Sequence, residues 1–162
     1  MGTKHRGTRE EVRALDAYIK LMRAADTLQG VMDQRLGGLG LTENQFGVLE
    51  TLLHLGPLHQ NALGEKLLVS KGNVTVIVDN LERRGLVRRE RDTHDRRHVT
   101  VGLTEQGRAL IGQVFPGHVD LIVRALEVLE PGEQEILAAL CKKLGLGVRA
   151  RSEAEAGGLV VV

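Results

Sequence analysis

At Gly85 the spacing of apolar residues along this 162-residue chain changes from every third or fourth position to every second. Before it, Val74, Ile77, Val78 and Leu81 fall on one face of a helix spanning about Lys71 to Arg84. After it, "LVRRER" and "HVTVGL" flank "DTHDR", and Val99, Val101 and Leu103 alternate with His98, Thr100 and Gly102, the pattern of a half-buried hairpin. Gly85 itself stands where a helix ends in the left-handed conformation. A helix delivered straight into a charged hairpin leaves few architectures open to a chain long enough for one domain.

The neighbouring segments narrow them further. Upstream of the switch, a short helix with Leu63 and Leu67 inward spans about Asn61 to Leu67, and a tight turn joins it to the next, making a helix-turn-helix. Before that, "TENQ" puts a threonine three residues ahead of Gln45, a capping box opening a helix with Phe46, Leu49 and Leu53 on its buried face. A long N-terminal helix, about Glu10 to Leu36, repeats apolar residues at Leu15, Ile19, Met22 and Leu28. Downstream, Thr104 ends the hairpin and caps a helix that "FPG" should kink or split, because Pro116 removes a backbone donor. "EPGEQ" opens a last helix with Ile136, Leu137, Leu140 and Leu144 inside, and 148–162 is expected to be a flexible tail without periodicity. The predicted fold is mainly α with a small β-hairpin wing. A winged helix-turn-helix lobe at about 42–104 is flanked by dimerisation helices at about 10–36 and 105–147, in one domain over 1–162.

Charge is concentrated where the period changes. Overall, 22 lysines and arginines face 21 acidic residues, a formal charge of +1 that by itself points to no partner. Between Lys71 and Arg97, however, eight basic and five acidic residues leave a local excess of three. A basic middle between acidic flanks suits a phosphate-facing patch. A single cysteine, Cys141, excludes an internal disulfide and a multi-cysteine zinc site and fits a reducing interior. The N-terminal "MGTKHRGTREE" lacks the apolar core of a secretory signal, and no apolar run approaches the about 20 residues of a membrane helix. A cytoplasmic protein with no membrane partner is expected.

Three fragments, "LTENQFGVLETL", "LLVSKGNVTVIVDNLERRGLVRR" and "RDTHDRRHVTVGLTEQGRAL", resemble the MarR family of dimeric transcriptional regulators over roughly Leu41 to Leu110. Helix geometry agrees independently. A helix entering the major groove presents its first exposed residues to base edges, here Ser70, Lys71, Asn73 and Thr75, with Asn73 suited to adenine and Val76 to a thymine methyl. Ser70 also reads as a plain helix cap. At the wing, the resemblance implies an aspartate-any-arginine pattern that enters the minor groove, matched by Asp95, Arg96 and Arg97, with Asp95 bracing Arg97. Arg83, Arg84, Arg88, Arg89 and Arg91 are expected beside phosphates, some of them simply solvated. The chain departs from the family at Val76, where arginine is common, and at His94, where a wing arginine is frequent.

One recognition helix and one wing cover half a binding site, so a homodimer on a pseudo-palindromic double-stranded operator is expected. Val12, Leu15 and Ile19 of one copy would meet Ile136, Leu140 and Leu144 of the other. The resemblance implies control by small phenolic or other aromatic ligands bound between the dimer helices and the DNA-binding lobe; the sequence identifies neither the ligand nor its residues. Cys141 reads as a small core residue and not a sensor. His94 and His98 lack further ligands at metal-binding spacing, so no metal or other cofactor is expected. No phosphate loop, nucleophile signature or inward carboxylate pair suggests an enzyme. The competing class is a winged-helix module that binds protein and not DNA.

Overall fold

The computed structural model describes residues 2–67, 70–91 and 99–158. The chain forms two compact units, Met1–Leu121 and Ile122–Val162.

The first unit opens with α1 (Arg9–Gly38), whose start is fixed by a reciprocal cap between Thr8 and Glu11. Only Met32 and Leu36, near its end, are buried. The capping box expected at Thr42 and Gln45 starts α2 (Glu43–Leu55), which buries Phe46, Val48, Leu49 and Leu52. A two-residue strand, β1 (Leu58–His59), leads into α3 (Gln60–Leu67) and then α4 (Lys71–Arg83). Gly85 adopts the expected left-handed conformation, φ 69°, and β2 (Val87–Arg91) and β3 (Val99–Leu103) follow. The strands run in the order β1-β3-β2, with Leu58 opposite Val101 on one side and Val87 opposite Leu103 on the other. The core forms where α2, α3, α4 and the sheet converge, around Leu49, Leu63, Val78, Leu81 and Val101, and the end of α1 contributes Leu36.

The helix α5 (Glu105–Leu126) begins at Thr104, whose hydroxyl accepts from the Gly107 amide at 3.0 Å and donates to the Gly85 carbonyl at 2.6 Å. Gly107 allows this close entry: a Cβ there would run into the Leu86 carbonyl. Of the kink or split expected at Pro116, the split does not occur: α5 is one continuous helix. Proline deprives only the Gly112 carbonyl of its donor. Gly112 and Pro116 both face solvent, while Ile111, Val114 and His118 anchor the helix on its other side. By length and composition alone α5 would reach across a bilayer. Its Ile111 and Val114 are instead part of the packed core.

In the second unit the Gln134 side chain donates to the carbonyls of Leu126 and Leu129, both at 3.1 Å, closing the turn into α6 (Pro131–Gly158). This last helix continues beyond 147, through most of the stretch expected to be a tail. Arg149, Ala150, Arg151, Ala154 and Glu155 are strong helix formers that need no apolar stripe to be helical. None of the apolar side chains described on α6 is buried.

Candidate nucleic-acid interface

Two opposed faces of α4 build the site. Inward, Val74, Ile77, Val78 and Leu81 are buried, as their spacing predicts. Outward, Gly72, Asn73, Thr75 and Val76 are exposed at the N-terminal half of the helix, Val76 by 57%. Ser70 is the N-cap, its Oγ accepting from the Asn73 amide at 3.4 Å. A capping role and a place at the leading end of an exposed helix therefore coincide in one residue. Lys71 is the first residue of α4, and its side chain lies outside the described residues. Thr75 is engaged on its inner side, where its Oγ1 accepts from Gln60 Nε2 at 3.0 Å.

The wing stalk is present as β2 and β3, paired from Val87 with Leu103 to Arg91 with Val99. Residues 92–98 lie outside the described residues, and with them the expected wing residues His94, Asp95, Arg96, Arg97 and His98, as does the side chain of Arg91. The other arginines of this region separate clearly. Arg88 points outward and pairs with Glu90 at 2.7 Å. Arg83 donates to Asn80, and Arg84 donates to the Gly40 carbonyl at 2.7 Å, across to the turn after α1.

Arg89, expected beside phosphate, turns its side chain inward. Its side chain is only 20% exposed, and its Nη1 lies 2.6 Å from Asp79 and 2.7 Å from Glu82. Its Nε donates to Gln60 Oε1 at 3.0 Å, and its Nη2 donates to the Thr75 carbonyl at 3.4 Å. Sequence reading missed Gln60 and β1 altogether. The acidic pair Asp79 and Glu82, one turn apart on a helix expected to present polar and basic residues, was the available signal.

Residues assigned to dimerisation are divided in burial. Val12 and Ile19 are half-buried and Leu15 is exposed on α1. On α6, Ile136, Leu140 and Leu144 are 61%, 58% and 52% exposed. Leu140 and Leu144 also line a shallow groove with Lys143, Gly147, Val148 and Arg151. Cys141 is exposed on the same helix. The core position expected for it is not met within one chain, because α6 gives it no buried apolar neighbours.

A histidine emerges that sequence reading passed over. His118 of α5 is buried with its ring centroid 4.2 Å from that of Phe46, and among the described residues its Nδ1 has no hydrogen-bond partner. Burial holds its imidazole below the ordinary range. Glu50 and Glu43 on α2 oppose that shift, and Arg35 on α1 adds to it. Beside it, a Cβ at Gly117 would collide with the Arg35 guanidinium. Among the described residues no three histidine, cysteine or carboxylate side chains gather as metal ligands do.

The arrangement, an exposed helix end held on a buried stripe beside a two-stranded stalk, recurs in proteins of known kind. A profile of the MarR family matches residues 41–99. An uncharacterised HTH-type transcriptional regulator of Bacillus subtilis, YkoM, is 39% identical over 140 residues, covering 85% of this chain and 90% of its own. A MarR family transcriptional regulator from Streptomyces coelicolor, solved in complex with DNA, is 25% identical with a TM-score of 0.80 over 90% of this chain and 92% of its own. Bordetella bronchiseptica BpsR, whose DNA binding is regulated by 6-hydroxynicotinic acid, is 26% identical with a TM-score of 0.73, over 80% of this chain and 98% of its own.

Proposed function

Since this chain belongs to the MarR family and is a DNA-binding transcriptional regulator, not an enzyme, we propose that it acts as a homodimeric repressor on a pseudo-palindromic operator. The observation that carries this reading is the division of α4. A buried stripe fixes the helix, and Ser70, Asn73, Thr75 and Val76 are left along its outer, N-terminal half, where a major-groove reader needs them. Lys71 adds a cation at the same end.

In this reading Asn73 bonds an adenine edge, Val76 meets a thymine methyl, and Arg91 with Arg96 and Arg97, braced by Asp95, serves the wing. Two copies are needed because one α4 spans half a site, and half-sites would be spaced near one duplex turn, about 10 base pairs. The apolar residues of α1 and α6, Val12, Leu15 and Ile19 with Ile136, Leu140 and Leu144, supply the second copy's contact. Their exposure on α6 supports this, since a stripe of that length seldom stays open to water. A small aromatic or phenolic effector, of the chemical kind known to regulate BpsR, would relieve repression. The cytoplasm, where the chromosome lies, is its compartment. Protein binding without DNA binding is not favoured by a family with solved DNA complexes.

Enrichment of a random-sequence duplex pool by the wild-type chain, followed by footprinting of the enriched site, tests this reading. An inverted repeat should emerge, and Arg97→Ala should flatten the slope of log affinity against log salt by about one unit. Enrichment of no sequence at low salt defeats it.

A further inference from the structure

We infer that Arg89 is a positioning residue for sequence readout, setting the roll of the recognition helix against the wing and making no contact with phosphate. All three guanidinium nitrogens are committed inside the protein: Nη1 to Asp79 and Glu82, Nε to Gln60, and Nη2 to the Thr75 carbonyl. Its own backbone amide also donates to Glu82 at 3.0 Å, so the Glu82 carboxylate receives Arg89 twice. Thr75, Asp79 and Glu82 lie at intervals of four and three residues, along one face of α4. A single fork from β2 thus grips the recognition helix over successive turns, and Gln60 ties the same fork to α3.

Roll is the coordinate such a grip controls. Side-chain tips stand about 5–6 Å from a helix axis, so a roll of about 10° displaces Asn73 by about 1 Å. Recognition geometry tolerates about 0.5 Å. The buried stripe of valines, isoleucine and leucine seats the helix by close packing, and the fork adds directional contacts to that non-directional hold. Directional hydrogen bonds from a planar donor are what such a rotation would break. Turning Arg89 toward DNA would leave two carboxylates of the recognition helix unpaired close to the phosphates, which argues against a role as a backbone contact.

The inference rests on DNA binding by this lobe, which enrichment by the wild-type chain checks on its own; enriching no sequence removes both. With the enriched duplex and a scrambled one of equal length, wild type, Arg89→Ala, Arg89→Lys and Glu82→Gln would be titrated across a salt series. Circular dichroism and thermal midpoints would identify the folded range. Arg89→Ala should lower the ratio of specific to scrambled affinity by about tenfold while leaving the salt slope on scrambled DNA unchanged. Arg89→Lys, which keeps the charge and loses the fork, should fail to rescue that ratio. Glu82→Gln, the mildest change, should lower it in the same direction and serves as the reporter if Arg89→Ala does not fold. A slope shallower by about one unit in Arg89→Ala would make Arg89 a phosphate contact and overturn the inference. So would an undiminished ratio in Arg89→Lys or Glu82→Gln.

Discussion

Helices α4 and α6 carry apolar residues at the same helical spacing, yet one stripe is buried within its own chain and the other is not. In α4, Val74, Ile77, Val78 and Leu81 meet α2, α3 and the sheet. In α6, Ile136, Leu140 and Leu144 are each more than half exposed. Periodicity reports that a face will be covered; it does not say by what. The contrast separates residues that hold the lobe together from residues we assign to association.

The largest expected effect tests that separation directly. Leu81→Ala should destabilise the chain by about 2–5 kcal/mol in urea unfolding, through lost burial and the cavity left behind. Leu140→Ala should leave unfolding of the lobe nearly unchanged; an equal loss from both would erase the distinction. Next, Leu144→Glu should raise the dimer dissociation constant at least about tenfold, or about 1.4 kcal/mol, in sedimentation velocity. A wild-type chain that stays monomeric at micromolar concentration would contradict the role assigned to α6. Thr42→Ala, which removes the cap from α2, should cost about 1 kcal/mol of lobe stability. Glu133→Ala, which removes the carboxylate receiving the Glu130 amide at the start of α6, should only fray that helix.

The smallest effect concerns acid. Because burial keeps His118 below its ordinary value of 6.5, the unfolded chain binds a proton that the folded lobe resists. Stability should therefore fall as pH drops through about 6.5 and continue to fall toward the lowered value of the folded state. Thermal midpoints at about pH 7.5 and 5.5 should differ less in His118→Phe than in wild type; an identical difference would assign the acid response to other groups.

Most of the fold was legible because its signals are local. The Thr42 cap, the stripe of α4 and the left-handed Gly85 each depend on residues within a turn or two. What escaped depends on distance or on absence. The two residues of β1 have no alternation of their own and become a strand only by pairing with β3, some 41 residues on at Thr100 and His59. The last turns of α6 show no stripe because none of their described side chains is buried, and helix propensity alone carries them. Pro116 reads locally as a kink or a break, whereas the packing of Ile111, Val114 and His118, which accompanies an unbroken α5, is not local. The site was half legible. Spacing identified the outward residues of α4, but a run of arginines looks the same whether each points to water or back into the fold. Contacts with Gln60, 29 residues earlier in the chain, and with Asp79 and Glu82 on α4 distinguish Arg89 from Arg88.

Two glycines on α5 have opposite prospects under substitution. At Gly107 even a methyl group would evict the first turn from its seat on Leu86, so that position admits no variation while the lobe keeps this form. At Gly112, five residues on, open space surrounds the missing Cβ. Alanine there would stiffen the rod by about 0.5–1 kcal/mol, so the residue that faces the proline is a reserve of stability this sequence leaves untapped.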